Sequence, residues 1–142
     1  AISIGKQAPD FEVEIKEKDK TISKNLSQLN IAENYIVVFW STTCSHCIDE
    51  IPQLQNFIKS VEKNKVKVIA IALEDEPYNW KNLTYDYPEF IHVYGDGKWD
   101  NDIGNSYGVT ATPFYFVLNA KKQIVAKPED FDMLKEYFQQ GN

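Results

Sequence analysis

Cys44 and Cys47 are the only cysteines in the chain, and they stand in one short motif, Cys44-Ser45-His46-Cys47. An apolar, β-favouring run, Val37-Val38-Phe39-Trp40, stops at Ser41-Thr42-Thr43, and an amphipathic helical pattern begins just after Cys44. A thiol at the junction of loop and helix meets the unpaired N–H groups of the first helical turn and the positive end of the helix dipole. Both favour thiolate over thiol. A free cysteine has a pKa of about 8.5, which in such motifs falls to roughly 3.5–7.5. Cys47 is one turn on, on the same helical face, and can close a disulfide with Cys44. The pair reads as a dithiol/disulfide redox site and the chain as an oxidoreductase. His46, between the cysteines, either stabilises the Cys44 thiolate or stands exposed with little effect; the first reading is preferred.

The elements that position this pair follow from the hydrophobic pattern. Residues 11–15 alternate apolar and charged, as a half-buried strand does, and 21–23 can pair back across the charged turn 16–20 to make a hairpin. Leu26 and Leu29 suit a short helical turn. Residues 35–40 and 66–73 are apolar on both faces, as expected of strands covered by helices on both sides. Between them Cys47, Ile51, Leu54, Ile58 and Val61 form one face of a helix ending near residue 62. Pro52 lies inside it and should kink it rather than start a second helix. Strand, helix, strand at this spacing gives a right-handed unit with parallel strands. The acidic trio Glu74-Asp75-Glu76 is read as the solvated start of a helix beginning near Pro77. Residues 90–94 form a third strand, 95–98 a turn and 101–107 a short helix closed by Gly108. Residues 114–118 form a further strand, 119–122 a hairpin turn, and 124–127 return antiparallel. A last helix starts at Pro128-Glu129-Asp130 and buries Phe131, Leu134, Tyr137 and Phe138. The order predicts an α/β fold with a central mixed β-sheet flanked by helices, preceded by an N-terminal β-hairpin.

The totals exclude some classes. At 142 residues with 43% hydrophobic side chains, the chain can form one domain with a true core. Fifteen basic residues against twenty-one acidic ones give a net charge of −6, opposite to the basic footprint of a nucleic-acid binder. No apolar run approaches the ~18 residues of a membrane span, and no signal peptide is evident, which leaves open a leader removed before Ala1. Two cysteines in one motif are not a disulfide framework of a small secreted domain.

These motifs together resemble the thioredoxin superfamily, and within it the ResA/TlpA-type thiol-disulfide oxidoreductases of the bacterial envelope. The likeness covers nearly the whole chain. It rests on Gly5-x-x-Ala8-Pro9-Asp10-Phe11, on Phe39-Trp40-x-x-x-Cys44-x-x-Cys47-x-x-Glu50-x-Pro52, and on Gly108-Val109-x-x-Thr112-Pro113. It implies a thioredoxin fold as a single domain over 1–142, with an extension at 1–30 and a core at 31–142. The implied roles are Cys44 as nucleophile, Cys47 as resolving thiol, Glu50 as active-site carboxylate, and Pro113 as a cis-proline facing the dithiol. Ser45 and His46 tune the site. Cys44 would attack a partner disulfide, and Cys47 would then attack Cys44 and release the reduced partner. Glu50, three residues beyond Cys47 on the same face, is a natural acceptor for the Cys47 proton. A cis bond at Thr112-Pro113 would free the Thr112 backbone to pair with an extended substrate segment. Trp40 is assigned with Thr112 and Pro113 to the substrate side, although its place ending an apolar run favours core packing. The likeness implies no cofactor beyond the dithiol, partners that are protein thiols or disulfides plus an electron donor or acceptor protein, a periplasmic or envelope location, and room for a membrane tether outside these residues. Two departures stand out: Thr43 precedes Cys44 where many relatives carry Trp, and Val38 stands where cytosolic thioredoxins carry a buried Asp, which favours the Glu50-bearing branch.

Two rival chemistries fit less well. A peroxiredoxin expects Pro-x-x-x-Thr/Ser-x-x-Cys; Ser41 fits, but Val37 holds the proline position and Cys47 would be superfluous. A zinc-binding or purely interacting domain could draw on Cys44, Cys47, His46 and His92, but His46 lies inside the cysteine pair and His92 stands at no usual spacing.

Overall fold

The computed structural model describes residues 2–141; Ala1 and Asn142, the two ends of the expected 1–142 span, lie outside the described residues. The hairpin forms as expected: β1 (Glu12–Glu17) pairs antiparallel with β2 (Lys20–Asn25) as a separate two-stranded sheet. A 3-10 turn at Leu26–Gln28 follows and buries Leu26. The central sheet contains β3 (Asn34–Trp40), β4 (Val66–Glu74), β5 (Ile91–Asp96), β6 (Phe114–Asn119) and β7 (Ile124–Ala126), in the order β5-β4-β3-β6-β7. β3–β4 and β4–β5 are parallel; β3–β6 and β6–β7 are antiparallel. The helices are α1 (Ser45–Ser60), α2 (Pro77–Thr84), α3 (Asp102–Ser106) and α4 (Phe131–Gln139).

β3 explains why the sheet is a two-sided core. Successive side chains point to opposite faces. Ile36, Val38 and Trp40 enter one apolar cluster with Cys47, Ile51 and Leu54 of α1 and Phe131 and Leu134 of α4. Tyr35, Val37 and Phe39 enter the other with Val13 of the hairpin, Leu26, Leu29 and Tyr107. Both faces are sealed, which is why this strand shows no polar alternation.

α1 is one helix with Pro52 inside it, so the proline does not divide the segment. One boundary differs from the sequence expectation. β5 continues through Gly95 and Asp96 instead of turning there. Gly95 pairs beside Leu73, and a Cβ on it would stand 2.6 Å from the Ala72 carbonyl oxygen. The glycine marks a close approach of two strands rather than a turn. The turn begins at Gly97, whose φ is +89°.

Register brings four segments to one edge of the sheet. β3 and β4 run parallel with Trp40 opposite Ala72, so residues 41–44 and Glu74 emerge together. β6 runs antiparallel with Phe114 opposite Phe39, so Thr112 and Pro113 arrive at the same edge. β5 ends there too, with Asp96 opposite Glu74, and delivers residues 97–101.

Candidate active site

Cys44 is the N-cap of α1 and takes extended backbone angles there. Its sulfur accepts the Cys47 N–H at 3.2 Å, so one of the orphan donors of the first turn is aimed at Sγ. Cys44 and Cys47 are joined as a disulfide, with Cα atoms 5.2 Å apart. The two sulfurs are unequal in access. Cys47 is wholly buried in the cluster beneath α1, whereas Cys44 is half-exposed. Only Cys44 can meet an incoming disulfide. Ser45 and His46 are both exposed on the first turn of α1.

The Thr112–Pro113 peptide bond is cis. The Thr112 carbonyl oxygen lies 3.5 Å from Cys44 Sγ, and among the described residues neither its N–H nor its C=O joins a backbone–backbone hydrogen bond outside the strands. Ser41, Thr43, Cys44, Leu73, Lys98, Trp99 and Thr112 together line a cavity of ≈ 210 Å³.

Glu50 is half-buried on α1. Its Oε1 accepts the Tyr115 hydroxyl at 2.7 Å and the Phe131 N–H at 2.8 Å. Burial, then the hydrogen bond to Glu50, drives the Tyr115 phenol far above its ordinary pKa of 10, so this hydroxyl stays a donor. Tyr115 shares the apolar cluster with Cys47. Glu50 does not line the cavity that Cys44 opens into: it lines a separate small cavity of ≈ 100 Å³ with Asp130 and Phe131.

Two residues sit differently from the sequence expectation. Trp40 is 1% exposed and packs edge-on against Tyr87 in the core. It supports the site from beneath and presents no surface to a substrate. Glu74 is not part of a solvated helix start: it is 3% exposed. Its Oε1 accepts the Thr42 N–H at 2.5 Å and its Oε2 accepts the Thr42 hydroxyl at 3.0 Å. The solvated role falls to Glu76, which caps α2 by accepting the Tyr78 and Asn79 N–H groups. His92 lies on β5 with Nε2 on the Tyr87 carbonyl at 2.8 Å and does not join the cysteines. No group of three or more His, Cys, Asp or Glu side chains that could hold a metal is found among the described residues.

Glu74 is the site residue that sequence reading missed. It clamps the loop two residues before the reactive sulfur, from the neighbouring strand. The available signal was its place at the end of an apolar run that aligns with the loop after β3; a carboxylate at that depth has to find donors.

Comparison with known proteins agrees with this geometry. The profile of the AhpC/TSA family matches residues 4–127. The chain is 29% identical over 124 residues to the thiol-disulfide oxidoreductase ResA of Bacillus anthracis, covering 87% of this chain and 68% of that protein. It is 30% identical over 129 residues to the thioredoxin-like protein YneN of Bacillus subtilis, covering 84% and 68%. Among solved structures, the thioredoxin domain of a thiol-disulfide oxidoreductase from Bacteroides vulgatus superposes with a TM-score of 0.79 at 20% identity, over 99% of each chain.

Proposed function

The chain belongs to the AhpC/TSA family, and on that premise we propose that it is a thiol-disulfide oxidoreductase that exchanges disulfides with protein partners through Cys44 and Cys47. The observation that carries this reading is the asymmetry of the pair: a half-exposed Cys44 at the tip of α1, receiving a helix N–H, joined to a fully buried Cys47. In the reduced state the Cys47 N–H and the positive end of the α1 dipole favour the Cys44 thiolate. The thiolate attacks one sulfur of a partner disulfide; a mixed disulfide forms and the other partner sulfur leaves as thiolate. Cys47 then gives up its proton and attacks Cys44 Sγ, which restores the internal disulfide and releases the second partner thiolate. Two electrons pass from the dithiol to the partner; the reverse sequence oxidises a partner dithiol.

Glu50 is the proton acceptor for Cys47 in this scheme. Tyr115 and Phe131 both donate to one of its oxygens, which fixes the orientation of the carboxylate. The Thr112 backbone beside Cys44 serves as the pairing site for an extended partner segment. His46 and Ser45, exposed on the first turn, border that surface and tune the thiolate. The dithiol needs no further cofactor for this exchange. We also propose, on the likeness to ResA, a place in the bacterial envelope facing the periplasm, with an upstream electron donor or acceptor protein as second partner.

The test is catalysed reduction of insulin disulfides by a small dithiol. Wild type accelerates it, and Cys44→Ser and Cys47→Ser do not turn over. Peroxide consumption is followed in parallel: a wild type that consumes peroxide rapidly and leaves insulin intact would replace this reading by the peroxidase one.

A further inference from the structure

Trp99 is a large side chain left 52% exposed beside the redox sulfur. Isolated exposed aromatics are ordinary on protein surfaces. This one differs because it is built into the wall of the cavity that contains Cys44 and Thr112. The segment that carries it is held at both ends. Gly97 and Lys98 take consecutive left-handed conformations, φ +89° and +50°. For a lysine that conformation is uncommon and persists only where the surroundings enforce it. The surroundings here are Asn101, 9% exposed, which donates to the Asp96 carbonyl at 2.9 Å and accepts the Gly104 N–H at 3.0 Å. Asn101 thus staples the end of β5 to the start of α3, and Lys98 and Trp99 are presented from the short bridge between them. Lys98 is half-buried at the cavity and forms no ion pair among the described residues, although Asp96 and Asp100 flank it in sequence.

We infer that Lys98 and Trp99 form the specificity wall of the exchange site, which receives an apolar side chain next to the reacting cysteine of an extended partner segment, with an acidic side chain beside it. This rests on the exchange reaction proposed above. The cavity of ≈ 210 Å³ is smaller than the roughly 300–1,000 Å³ of sites for whole small ligands, and suits one side chain. Cys44 and Thr112 both line it, so a segment paired along Thr112 places the residue beside its cysteine against the indole. The unpaired ammonium supplies the preference of sign, against the acidic balance of the rest of the chain.

The experiment measures single-turnover rate constants of the reduced protein with three substrates: a peptide disulfide with a Cys-Phe-Glu core, the same peptide with Cys-Phe-Lys, and hydroxyethyl disulfide. Wild type reduces the Phe-Glu peptide fastest. Trp99→Ala slows both peptides by about tenfold, the scale of one aromatic contact, and leaves hydroxyethyl disulfide unchanged; Trp99→Leu falls between. Lys98→Glu reverses the order of the two peptides. Equal rates for the two peptides in wild type, or loss in Trp99→Ala that is the same for hydroxyethyl disulfide, would overturn the wall while leaving the exchange reaction standing. A wild type inert toward all three would remove the exchange reaction, and the wall with it.

Discussion

At the scale of single residues, the site is a set of carboxylates and carbonyls arranged around two unequal sulfurs. Glu50 accepts from Tyr115 and Phe131. If it takes the Cys47 proton, Glu50→Gln slows resolution of a mixed disulfide by roughly 10²-fold or more, the lower range of positioned acid–base catalysis. The first attack by Cys44 keeps its rate. Rapid-quench measurement of the two steps separates them. Glu74 accepts both the N–H and the hydroxyl of Thr42 from a buried position. Glu74→Leu leaves the Thr42 N–H without its acceptor, and lowers stability by about 1–3 kcal/mol, read from urea unfolding. Thr42→Val removes the hydroxyl alone and costs less. The cysteine pair was legible in the sequence because its chemistry is local, four residues on one helical turn. Glu74 was not: its partner is thirty-two positions away, reached only through the parallel register of β3 and β4. Trp40 was ambiguous for the same reason, since burial at a strand end depends on what packs over it.

At the scale of elements, α1 is the activating device. The Cys47 N–H of its first turn is aimed at Cys44 Sγ, and no acidic residue occupies that turn to oppose it. In the reduced protein, iodoacetamide therefore alkylates Cys44 with a midpoint pH clearly below the ordinary cysteine value of about 8.5, while Cys47 stays unmodified because it is buried. Mass mapping of the alkylated peptide checks both statements. Strands and helices were readable because periodicity differs between them: β3 and β4 were continuous apolar runs, and α1 and α4 carried stripes at three and four residues. The misread boundary at Gly95 shows where that method stops. A glycine in sequence reads as turn punctuation, but here it admits the Ala72 carbonyl of the next strand. Composition does not distinguish the two uses; register does.

At the scale of the whole molecule, the sheet gathers Cys44, Thr112, Glu74 and the Lys98–Trp99 bridge at one edge, and stability elsewhere keeps that edge in place. His92 belongs to the scaffold. Burial, and after it the charge of Lys67, hold its pKa below the ordinary 6.5, against the opposing hydrogen bond to Tyr87. The unfolded chain thus binds this proton more readily than the folded one. The sign follows: no penalty exists above about pH 6.5, and stability falls as pH drops below that value. Urea midpoints taken between pH 7.5 and 5.5 decline in wild type and decline less in His92→Gln. The claim on which everything else rests is that Cys44 exchanges bonds with outside sulfurs and Cys47 completes the exchange. Its most direct measurement is intact-mass analysis of reduced Cys47→Ser mixed with an excess of a peptide disulfide. The predicted result is one peptide joined to the protein through Cys44, stable until a dithiol is added. No adduct, or the same adduct mass in a Cys44→Ser variant that retains Cys47, would contradict it.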